Sequence, residues 1–140
     1  MTTITVKSLD ELLEGSAATD SFKNAIRQFE QSGQASPQIQ SNPMSPSVKV
    51  LRMVMYLLDQ EPELAVDAVE VEGHAGCSDF VGKMGVKTSD GDERTYQFKW
   101  DCKWRSDQEG WKDFLGFSDQ ARAAREYGYQ CVETWNRIDS

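Results

Sequence analysis

His74 is the only histidine in the chain, and His74-Ala75-Gly76-Cys77 sets it two residues before one of three cysteines, Cys77, Cys102 and Cys131. Imidazole and thiolate are the ligands zinc prefers, and a two-residue gap is common in zinc knuckles. Cys102 and Cys131 would complete a Cys₃His set. Against this, structural zinc sites present two close-spaced pairs, whereas Cys102 and Cys131 fall on positions that also suit a core face. A second chemistry is nucleophilic: Cys77 as a thiol, His74 as its base, Asp79 to orient the imidazole. Catalytic Cys/His pairs usually lie far apart in sequence, which weighs against it. Buried thiols beside a polar turn are the plainer reading, because free cysteine packs as a small apolar group. No cofactor is therefore expected, with zinc at these four residues as the alternative. Nor is there a phosphate-cradling glycine loop, a Gly-x-Ser-x-Gly elbow or a His-Glu-x-x-His helix.

The other unusual chemistry is aromatic. From Arg94 to Arg105 the chain reads RTYQFKWDCKWR. Tyr96, Phe98, Trp100, Cys102 and Trp104 alternate with polar residues, which puts every large side chain on one face of a strand. Nine residues from Tyr96 to Trp104 would span roughly 30 Å, too long for one crossing helix to cover unless it runs parallel to the strand. Trp104, Trp111, Phe114 and Phe117 cluster at its far end in sequence. These rings either fold back as a satellite core or line a groove, and they are the candidate ligand- or partner-binding residues.

The elements that must position these groups can be read in order. Thr2 to Val6 is β-branched enough for a short edge strand. Ser8 and Glu11 make a capping box ahead of a short helix carrying Leu9, Leu12 and Leu13 and ending near Gly15. Phe22, Ala25, Ile26 and Phe29 recur at helical spacing from about Thr19 to Gly33. The segment at about 31–46, rich in Ser, Gln and Pro, offers only Ile39 and Met44 to a core. It is expected to be mobile, because little burial offsets its ordering entropy. Ser45 is expected to cap a central helix with Pro46 at its first position and Val50, Leu51, Val54, Leu57 and Leu58 on one face.

Three strands follow. Val69 and Val71 alternate with Glu70 and Glu72. Phe80 to Lys87 forms the second, with glycines that suggest a bulge or a close backbone approach. Ser89-Asp90-Gly91-Asp92 is a hairpin turn into the aromatic strand. Ser118 then opens a last helix, with Ala121, Ala124, Gly128, Cys131, Trp135 and Ile138 in one narrow stripe that would lie against the bulky strand face.

The expected fold is a single α+β domain over 1–140. Its core is an antiparallel meander of three or four strands with helices on one face, in the order α-α-α-β-β-β-α. Helix, three strands and helix is also the order of a double-stranded-RNA-binding domain. That module needs a Lys/Arg cluster at the start of its last helix. Here SDQARAAREYG supplies only Arg122 and Arg125, so no family is assigned.

Composition narrows the function. Fifteen Lys+Arg against 23 Asp+Glu give a net charge of −8. That balance speaks against phosphate-backbone or anionic-lipid partners. No apolar run approaches the roughly 20 residues a membrane helix needs. No positive region followed by an apolar one marks a signal peptide, and an odd cysteine count fits reduced thiols, so a cytoplasmic location is expected. The expected function is non-catalytic binding of a protein or small molecule by a monomer or weak dimer. A small metal-binding or thiol-dependent protein centred on His74 and Cys77 is the alternative.

Overall fold

A computed structural model describes residues 8–76, 79–101 and 132–139. The elements are α1 (Leu9–Glu14), α2 (Asp20–Ser32), β1 (Ile39–Ser41), α3 (Ser47–Gln60), β2 (Val66–Ala75), β3 (Asp79–Thr88), β4 (Glu93–Asp101) and β5 (Val132–Arg137). The α+β class is as expected.

The first two helices start where side-chain oxygens can hold free backbone donors. Ser8 Oγ accepts the Glu11 N–H at 3.2 Å, and Thr19 Oγ1 accepts that of Phe22, also at 3.2 Å. Thr19 also donates to Asp67 Oδ1 at 2.8 Å, which ties the start of α2 to β2. Gly33 ends α2 at φ +68°, a left-handed position that glycine adopts without steric cost. Phe22, Ala25, Ile26 and Phe29 are all buried, as their spacing implies.

The third helix begins differently from expectation. Pro46 is its N-cap, with no side-chain cap bond. Ser45 sits one residue too early, and its hydroxyl bonds to Asn42 Oδ1 and the Gly73 carbonyl instead. The hydroxyl thus anchors the approach to α3 on β2.

The five strands form one sheet in the order β1-β2-β3-β4-β5. It is a mixed sheet, not a pure meander, because β1 runs parallel to β2. Parallel neighbours need a crossover, and α3 supplies it: fourteen residues carry the chain back by about 21 Å at 1.5 Å per residue. The Ser/Gln/Pro-rich segment at 31–46 therefore contains both the end of α2 and strand β1. Ile39 is fully buried, and the ladder is extended by Val69 N–H to the Gln38 carbonyl at 2.8 Å.

The larger correction concerns the C-terminal end. Val132–Arg137, expected to finish the last helix, is strand β5 and pairs antiparallel with β4. Trp135 lies opposite Phe98 rather than on a helix stripe with Ile138. The earlier part of that expected helix, with Gly128, and the expected edge strand at Thr2 to Val6 lie outside the described residues.

The helices cover one face of the sheet. The core runs from Leu13, Phe22 and Ile26 through Met53, Val54, Leu57 and Leu58 of α3 to Val69, Val71, Phe80, Met84, Tyr96, Phe98 and Trp100. The β4 alternation holds: its three rings are buried, while Gln97 and Lys99 are exposed on the other face. Phe80 and Phe98 stand 5.2 Å apart between ring centroids. Trp135 stacks on Tyr96 at 4.6 Å and meets Tyr56 of α3 edge-on at 5.1 Å.

Two glycines permit a close approach between β2 and β3. Gly73 and Gly82 lie directly opposite each other across β2 and β3. A Cβ on Gly73 would sit 2.6 Å from the Phe80 ring. The β3–β4 turn closes as expected, with Gly91 at φ +88°.

Candidate functional site

Both ends of the sheet bring polar and aromatic groups together. The first is built by the β2–β3 turn, the end of β4 and the start of β5. Asp79 faces Asp101 across β3 and β4, and Phe80 faces Trp100. Trp100 in turn faces Val132, beside a bulge that shifts the register between Lys99 and Trp100. Glu133, the β5 residue skipped at this shift, has its carboxylate 3.4 Å from the Lys99 ammonium.

Lys49, on the first turn of α3, reaches into this end. Its ammonium donates to the Gly76 carbonyl at 2.8 Å and the Asp79 carbonyl at 2.9 Å. It also lies 5.4 Å from the centroid of the Trp100 ring, with the Arg52 guanidinium at 5.7 Å. The cations sit against the electron-rich ring face. Gly76 N–H donates to Asp79 Oδ1 at 2.8 Å, which ties the end of β2 to the start of β3. One ammonium thus links α3, the turn and the last ring of β4.

The residues singled out from the sequence are placed only in part. His74 is exposed and stands opposite Val81 in the ladder. Cys77, Cys102 and Cys131 lie outside the described residues, as do Trp104, Trp111, Phe114 and Phe117. Among the described residues, no group of three or more His, Cys, Asp or Glu side chains could hold a metal ion. Glu72 of β2 stands directly opposite Lys83 of β3.

The second cluster lies at the opposite end of β4. Arg94 Nη1 donates to Glu61 Oε1 at 2.9 Å, and the Tyr96 hydroxyl donates to Glu61 Oε2. Asp92 Oδ2 is 3.5 Å from Arg94 Nε, close enough for attraction but without hydrogen-bond geometry. Next to it, Arg137 holds Asp139 by two bonds of 2.8 Å each. Asp139 Oδ1 also accepts the Thr95 N–H at 3.1 Å, and the Ile138 N–H donates to the Thr95 carbonyl at 2.9 Å. The C-terminal residues are thereby fastened along β4. The separations in sequence, such as Glu61 to Tyr96, hide this cluster from any local spacing argument. The only local hint is Arg94 at the edge of the aromatic run.

The electrostatics follow from these contacts. Burial, and then the bond to the Glu61 carboxylate, raise the Tyr96 phenol above its ordinary value. Burial and the Asp59 charge raise Tyr56. The Arg137 bonds, followed by the Thr95 N–H, hold the Asp139 carboxyl well below the usual carboxylate range.

A raised phenol stays protonated in the fold after the unfolded chain has begun to ionise, near pH 10. Its stabilisation is complete below that pH and is lost as pH climbs through the higher folded value. Stability should therefore fall on the alkaline side from about pH 10. Urea midpoints measured from pH 8 to 11 test this. Tyr96→Phe should flatten the decline and cost about 1–3 kcal/mol at pH 7. An unchanged alkaline slope in that variant would show that Tyr96 does not carry the effect.

The arrangement at the Glu61 end is one of fastening: opposite charges meet, Glu61 accepts from Arg94, and Asp139 accepts from Arg137. The Trp100 end differs because the chain departs from it at Asp101 and returns to it at Val132. No helix among the described residues is long and apolar enough to cross a membrane. No family model matches the chain, and no match was found among curated proteins or solved structures.

Proposed function

We propose that this chain is a non-catalytic binding module whose contact residues are Trp104, Trp111, Phe114 and Phe117, offered at the Trp100 end of the sheet. One observation supports it most: Trp100 pairs with Val132. Asp101 and Val132, the described residues that flank the segment 102–131, therefore lie close together at this end of the sheet. All four candidate rings belong to that segment. A long insertion between two paired strands is a common way for a rigid scaffold to carry binding residues.

The partner is a protein or a small molecule. A net charge of −8 disfavours a phosphate backbone as the partner. The module works in the cytoplasm as a monomer or weak dimer, and no cofactor is invoked.

The test is a double variant, Trp111→Ala with Phe114→Ala. Immobilised chain carrying both changes should lose the proteins or metabolites that the native chain retains from its own cell extract. Its urea midpoint should stay where it was. A variant that unfolds would assign these rings to a satellite core and overturn the binding role, and so would undiminished capture by a folded variant.

A further inference from the structure

We draw no further inference here: the strongest candidate, the half-buried apolar rim where Tyr56 and Leu51 of α3 meet Val132 and Trp135 of β5, carries nothing because no observation shows what covers it.

Discussion

Replacing Phe98 by Ala should cost about 3–5 kcal/mol of stability, the range for deleting a buried aromatic side chain. Phe98 is 1% exposed and central to the aromatic layer. Its ring centroid lies 5.2 Å from that of Phe80 and 6.4 Å from that of Trp135. Across the ladder it sits opposite Gly82, which has no side chain to swing into the space. The cavity would therefore stay open, and the cost should fall near the upper end. Small domains hold only about 5–15 kcal/mol in total, so much of the population could unfold at 37 °C. Urea denaturation gives the answer directly: a large drop in midpoint at constant slope is expected. A loss under about 1 kcal/mol would mean that the ring does not fill the core.

Gly82→Ala should be comparably harmful for a different reason. Its new methyl group would lie 2.6 Å from Gly73 Cα and closer still to the Glu72 carbonyl oxygen. Both are backbone atoms of the paired strand, so no side-chain rotation relieves the clash. The β2–β3 ladder must open locally or shift. Gly85 is the control, because its methyl group would find its nearest neighbour at 3.9 Å, an ordinary contact. Gly85→Ala should leave stability within about 0.5–1 kcal/mol of the parent, the usual range for glycine to alanine without strain. Gly82→Ala should lose several times that, or fail to fold. Equal effects at the two positions would show that the close approach at Gly82 is absent.

The contrast between β4 and β5 shows what the sequence made legible. In β4, alternation over nine residues with three buried rings leaves one reading, and the structure follows it. The caps of α1 and α2 are local hydrogen bonds, so three-residue patterns suffice to find them. Strand β5 is shorter and sits at the sheet margin, with only Trp135 and Val132 packed on the core. Its register shift at Glu133 sets the two packed residues, Val132 and Trp135, three apart, a spacing that a helix stripe shares. Val132, Thr134 and Trp135, all strand-favouring types, were the available counter-signal. Strand β1 has one apolar residue, Ile39, and exists through its backbone pairing with β2, which composition does not register.

The candidate sites were legible to differing degrees. The stretch from Gly73 to Asp79 reads as a turn, but β2 continues through Ala75, so His74 is an exposed strand residue instead. The aromatic end could be anticipated from Trp100 alone. The Lys49 contacts could not, because they join the first turn of α3 to carbonyls 27 and 30 residues away. The Glu61 cluster depends on the same kind of long-range closure. Such contacts arise from packing α3 on the sheet and leave no periodic trace.

The binding role depends on β5 lying against β4, because that pairing brings residues 101 and 132 together. Nuclear Overhauser contacts in the labelled chain test it most directly. Contacts between Trp100 and Val132 and between the Phe98 and Trp135 rings are expected, with extended-chain carbon shifts from Val132 to Arg137. Helical shifts over those six residues, with contacts three residues apart and none to β4, would contradict it.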